Sequence, residues 1–129
     1  MLHGSCHCGT VTWEFRAEPE SATACNCTIC RRYGVLWIYD HEGEGVDMAG
    51  PTREYRRGPH IGFHFCGTCG CVVAWRALAA DAGGRRRMAV NLRLTEPGPV
   101  AHLPIDHFDG LERFADLPRD GRCVADMWF

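Results

Sequence analysis

Eight of the nine cysteines in this 129-residue chain fall in three tight groups. They are Cys6 and Cys8, then Cys25, Cys27 and Cys30, then Cys66, Cys69 and Cys71; only Cys123 stands apart. Spacings of one and two residues bring sulfurs close enough to share one ion. The glycine that follows C-x-x-C lets backbone amides fold toward the sulfurs. Disulfides, a redox centre and a metal clamp are three readings of such thiols. A chain of this length buries a real core without staples, and an odd cysteine count weakens the disulfide reading. Metal explains the pattern best, and zinc suits soft thiolates in tetrahedral sets of four.

Composition narrows the function classes. Apolar residues make up 46% and charged residues 23%, as in an ordinary globular protein. The formal net charge of −2 gives no drive toward nucleic acid or an anionic membrane. All 14 basic residues are arginine, so a Schiff base or a lysine general base is excluded within this chain. The opening "MLHGSCHCG" has no apolar core of a secretory signal, and no run approaches the ~20 apolar residues of a membrane span. A cytoplasmic protein with reduced thiols is expected, folded as a single domain over 1–129.

Periodicity points to a mainly β chain. "TVTWEFRA" alternates, with Val11, Trp13 and Phe15 on one face. "EPESATACNC" reads as a polar connection, "CTICRRYG" as one helical turn, and "GVLWIYD" as a strand buried on both faces. "DHEGEGVDMAGPT" reads as a hairpin region. "TREYRRGPH" and "GFHFCGTCGCVVAWRAL" read as strands either side of a Gly-Pro turn. "RRRMAVNLRL" alternates with Met88, Val90, Leu92 and Leu94 inward. "TEPGPVAHLP" breaks the chain, "DGLERFADLP" suggests a turn or short helix, and "CVADMWF" a final edge strand. No long amphipathic helix is expected.

In an extended segment Cys6 and Cys8 point to one side, because the side-chain period is two. Such a two-pronged clamp needs a second pair, and Cys66 and Cys69 are the natural candidates. Four thiolates make a closed, structural zinc site, here bridging 57 intervening residues between Cys8 and Cys66. Cys25, Cys27 and Cys30 offer three thiolates on six residues. Three protein ligands and an open position characterise a reactive zinc, where an incoming thiol is held as thiolate. A closed structural site and an empty redox-active thiol cluster are the alternatives.

"GSCHCGTVTW", "CNCTICRRYG" and "FHFCGTCGC", in that order, resemble the glutathione-dependent formaldehyde-activating enzyme family. "LPIDHFDGLERF" is similar to a divergent form of its C-terminal segment. The resemblance implies a mainly β, β-tent-like zinc fold of small packed antiparallel sheets with little helix. It implies two zincs per chain, a structural one on Cys6, Cys8, Cys66 and Cys69, and a second on Cys25, Cys27 and Cys30 near which glutathione docks. The implied activity is that of a carbon–sulfur lyase joining a glutathione-like thiol to formaldehyde or a related aldehyde. One departure matters: Cys71 stands where the family more often has Thr or Ser. If Cys71 closed the second site, no open position would be left.

Other residues are weighed against this frame. Arg31 and Arg32 follow Cys30, and one of them is a candidate clamp for a glutathione carboxylate, with a solvated arginine as the alternative. His7 and His64 sit beside ligand cysteines and are expected to pack around the site rather than ligate. Arg85, Arg86 and Arg87 read as an exposed turn, "DHEGEG" as a solvated loop, and Trp13, Trp37 and Trp75 as core. A non-catalytic zinc module that binds a protein partner is the rival function, and redox or metal buffering is a third.

Overall fold

Gly4 and Trp13 show why the first hairpin closes as it does. The alternating segment forms a strand, β2 (Thr12–Phe15), which pairs antiparallel with β1 (Leu2–Ser5) in register Gly4 to Trp13. A Cβ on Gly4 would lie 2.0 Å from Trp13 Cε2, so the indole occupies the space over the glycine. Val11, Trp13 and Phe15 are buried as the alternation requires. β2 is completed on its other edge by a strand at Val46–Ala49, giving a three-stranded sheet. The structure is a computed structural model and describes residues 1–128.

The second sheet has eight strands. In chain order its members are β3 (Ala22–Cys25), β4 (Trp37–His41), β6 (Arg53–Arg56), β7 (Ile61–Phe65), β8 (Val72–Ala77), β9 (Arg87–Asn91), β10 (Ile105–Asp109) and β11 (Ala115–Leu117); Val46–Ala49 in the first sheet is β5. Across the sheet they run β11-β10-β3-β4-β9-β8-β7-β6. The fold is mainly β, as expected, and antiparallel except where β10 lies parallel to β3. Helices are single turns: α1 (Cys30–Tyr33), α2 (Pro97–Val100), α3 (Val124–Met127) and a 3-10 turn at Leu92–Leu94. No helix among the described residues is long and apolar enough to cross a membrane.

β9 is central, and both of its faces are covered. Met88 and Val90 join the main core with Trp13, Leu36, Ile38 and Leu92, whereas Ala89 joins a smaller cluster of Cys27, Cys30, Val35, Trp37 and Phe63. Met88, Val90 and Leu92 lie in the main core and Leu94 packs against it, as expected, but the strand is shorter than the alternation. The strand stops at Asn91, whose side chain accepts from Arg93 N and starts the 3-10 turn. The smaller cluster matters for function because it forms the floor beneath Cys27 and Cys30.

Other corrections concern segments whose structure depends on distant partners. The polar connection at 18–27 contains β3, held between β4 and β10. "GFHFCGTCGCVVAWRAL" is two strands, β7 and β8, folded back around the cysteines between them. "TEPGPVAHLP" contains α2, with Pro97 at its first position, where a missing N–H is harmless. The expected terminal strand in "CVADMWF" is α3 instead, because Asp126 accepts from the Cys123 N–H (2.9 Å) and caps a helical turn. Phe129 lies outside the described residues.

Candidate metal centres

Two tight turns bring the first four sulfurs together. Cys6 and Cys8 lie in the β1–β2 turn and not in an extended strand, which corrects the geometric reason for their pairing. Cys6 N donates to Val11 O (2.9 Å), Gly9 N donates to Cys6 O (3.0 Å), and Gly9 takes the left-handed φ of 81° that the turn needs. The β7–β8 turn repeats the device: Cys66 N donates to Cys71 O (3.0 Å), Gly70 N to Cys66 O (2.9 Å), and Gly70 has φ 80°. The Sγ atoms of Cys6, Cys8, Cys66 and Cys69 all lie within 4.8 Å of one another. Cys8 Sγ is 3.6 Å from both Cys6 Sγ and Cys66 Sγ. A tetrahedron with Zn–S bonds of about 2.3 Å has sulfur–sulfur edges of about 3.8 Å, so the donor set fits zinc.

Backbone donors already face these sulfurs. Val11 N donates to Cys6 Sγ (3.3 Å), and Thr68 N and Cys69 N donate to Cys66 Sγ (3.4 and 3.5 Å). The N–H groups of Cys71 and Cys8 hold the Cys69 thiol down to about 5, while burial pushes Cys6 up to about 11. The Thr10 hydroxyl, 3.1 Å from Cys8 Sγ, lowers that thiol too. A dication held by these sulfurs would take the place of the protons that the buried thiols otherwise keep.

The second cluster is built from the end of β3, a turn, and α1. The sulfurs of Cys25, Cys27 and Cys30 lie within 4.8 Å of one another, and no His, Cys, Asp or Glu among the described residues makes a fourth. Cys30 N donates to Cys27 Sγ (3.2 Å), and the buried Trp37 Nε1 donates to Cys30 Sγ (3.4 Å). Trp37 is thus core, as expected, and also a hydrogen-bond donor to a sulfur of the cluster. A hydrogen bond from Cys30 pulls Cys25 down to about 6, and the same contact pushes Cys30 up. Cys27 and Cys30 are buried and Cys25 is half-buried, so the cluster opens on the Cys25 side. Both clusters can hold a metal ion. All nine cysteines are free.

A family model described as glutathione-dependent formaldehyde-activating enzyme matches residues 1–96. The chain belongs to that family. Its formaldehyde-activating, glutathione-related function is the family's. The match spans every cysteine of both clusters. A crystal structure of a Rhodobacter sphaeroides protein is similar in fold, with a TM-score of 0.58 and 24% sequence identity, covering 74% of this chain and 88% of that one. No curated protein matches the chain.

Within this family framework, Cys71 does not join the three-cysteine site. Its sulfur lies in hydrogen-bond reach of Cys69, beside the four-cysteine cluster. Cys71 lines a cleft of about 690 Å³ that also touches Arg32, Tyr33, Tyr55 and Arg93. This cleft therefore connects α1, next to Cys30, with the turn that carries Cys66 and Cys69. Arg32 lines it while its Nη1 donates to Thr28 O (2.7 Å); Arg31 is exposed and is not among the lining residues. Arg93, which no sequence motif marks, is half-buried in the same cleft, and its Nε is buried without a partner. His64 is buried against Thr52 (Nδ1 to Oγ1 2.9 Å) and Glu54, and His7 is exposed; neither belongs to a cluster. Glu42 and Glu44 of the acidic loop pair with Arg76 and Arg85.

The family match stops at residue 96, yet the chain beyond it reaches the second cluster. Asn26, between two of its cysteines, donates from Nδ2 to Asp109 Oδ1 (3.1 Å). The Asn26 amide and the Glu112 N–H hold the Asp109 carboxyl below the usual range. Its unfolded-state value is about 3.9. Asp109 therefore contributes stability that is fully present above about pH 4 and is lost as pH falls toward its folded value. Urea midpoints measured from pH 5 to pH 2 should fall less steeply for Asp109→Asn than for the parent. Parallel curves would show that the carboxylate contributes nothing.

Proposed function

We propose that this protein is a zinc enzyme of the carbon–sulfur lyase type, joining a small thiol to formaldehyde or a related aldehyde at Cys25, Cys27 and Cys30. The observation that carries this reading is a cluster of three converging sulfurs with no fourth protein ligand among the described residues, open on one side. The thiol's sulfur bonds to the aldehyde carbon, the carbonyl π pair moves to oxygen, and that oxygen takes up a proton. No oxidant or reductant is needed, and the reverse step releases the aldehyde. A zinc held by the three sulfurs would supply Lewis acidity that lowers the pKa of a fourth, incoming thiol. The chain's own residues hold that geometry: Trp37 and Cys30 N donate to two of the sulfurs and keep them in place.

Glutathione is the thiol we assign to the cleft beside α1, whose lining starts two residues after Cys30. It carries two carboxylates, and Arg32 and Arg93 both line that cleft. Cys6, Cys8, Cys66 and Cys69 would hold a second, structural zinc, for two per chain. Half-buried and exposed thiols of this kind suit the reducing cytoplasm.

Cobalt-substituted protein tests the reading. Adding glutathione should change the visible spectrum of one of two cobalts, and S-methylglutathione should not. A spectrum indifferent to glutathione would indicate two closed sites and a structural zinc module.

A further inference from the structure

We infer that Asp109, the last residue of β10, and Gly110, the first residue of the loop after it, position the sulfurs of the Cys25/Cys27/Cys30 cluster. The inference rests on the function proposed above and adds two residues to its site, both beyond the family match. β10 runs parallel to β3, with Phe108 opposite Cys25. The strand thus delivers its C-terminal loop beside the cysteines. Asn26 then fastens the loop at three points. Its backbone N donates to Phe108 O (3.2 Å), its Nδ2 to Asp109 Oδ1, and its Oδ1 accepts from Leu111 N (3.0 Å). Asp109 is only 6% exposed and also accepts from Glu112 N (3.1 Å) and Arg113 N (3.3 Å), which closes the turn.

The fastened loop leaves no room at position 110. A Cβ there would lie 2.8 Å from Cys25 Sγ and 2.9 Å from Cys27 Cβ. Gly110 does not have a left-handed φ, so the backbone does not demand glycine here; the contact with the cysteines does. On the far side of the loop Phe114 takes a left-handed φ of 52° and sets its ring edge-on to Phe108, with centroids 5.0 Å apart.

Gly110→Ala, Asp109→Ala and Asp109→Asn test this in the full chain by stepwise cobalt titration. The sulfur-to-cobalt absorption and the alkylation rate of Cys25, mapped by peptide mass, are read together. Gly110→Ala and Asp109→Ala should weaken the second cobalt at least about 10-fold, the range seen when groups supporting metal ligands are removed. The first cobalt should bind as in the parent. Asp109→Asn keeps an acceptor for Asn26 and should recover most of the loss. If Asp109→Ala does not fold, Gly110→Ala decides alone, because its one change is a methyl group against Cys25 and Cys27. Parental affinity, spectrum and Cys25 reactivity in Gly110→Ala would overturn the inference and leave the proposed function standing. A parent that binds only one cobalt would overturn both.

Discussion

Cys66→Ser should abolish cooperative folding. Cys66 is 1% exposed and belongs to the main core, and its sulfur lies 3.6 Å from Cys8 Sγ. It ties the β7–β8 turn to the β1–β2 turn, so the clamp joins the three-stranded sheet to the eight-stranded one. Structural zinc contributes on the order of 10 kcal/mol to folding, as much as the whole stability of a typical domain. Serine leaves an unpaired buried hydroxyl and a three-ligand site. The expected result is loss of the sigmoidal thermal transition and of one zinc per chain, and strong chelators should do the same to the parent. A Cys66→Ser protein that melts within a few degrees of the parent would show that the four-cysteine cluster does not hold the fold.

Cys27→Ser should behave in the opposite way. It should lose thiol-dependent turnover by at least about 100-fold in kcat/KM, roughly 2.7 kcal/mol of transition-state stabilisation, while folding survives. Cys27 accepts from Cys30 N and is packed with Trp37 and Phe63, in the smaller apolar cluster and not in the main core. Removing a ligand costs more than removing a group that supports one, for which 10- to 100-fold is usual. Glutathione and formaldehyde combine without help, so the rate must be read above that background. Parental turnover in Cys27→Ser would remove the three-cysteine site from the chemistry. The two substitutions together separate a sulfur that holds the fold from a sulfur that serves the reaction.

Both clusters could be read before the fold was seen, and for a local reason. Cys25, Cys27 and Cys30 meet within one turn, so six residues suffice to specify them. The Cys66/Cys69 turn and the Cys6/Cys8 turn are equally local, although the reading of Cys6 and Cys8 as an extended pair was replaced by a turn stabilised at Gly9. The strands at Thr12–Phe15 and Trp37–His41 were legible because burial imposes its period on the chain. β3 and β10 were not. "ATAC" and "IDHFD" carry weak alternation, and each becomes a strand because the other lies beside it, 83 residues away.

The residues around the second cluster divide in the same way. Arg32 was named from its place after Cys30, and the cleft it lines runs on to Arg93, from a 3-10 turn that no motif marks. Trp37 read as core from its apolar neighbours, and its indole N–H reaches Cys30 only because β4 follows α1 directly back across the sheet. Cys71 was ambiguous from spacing alone. The turn that brings Cys66 N to Cys71 O keeps its sulfur near Cys69 and away from Cys25.

The sequence by itself determined the two sets of sulfurs, the mainly β character and the family, because each is written in short-range spacing. Only the tertiary structure decided what surrounds those sulfurs. The joining of Cys8 to Cys66, the Arg32–Arg93 cleft and the Asn26–Asp109 link each pair residues tens of positions apart. Such contacts depend on which strands neighbour one another in the eight-stranded sheet, and that order follows from burying two apolar faces at once. No local pattern along the chain encodes it.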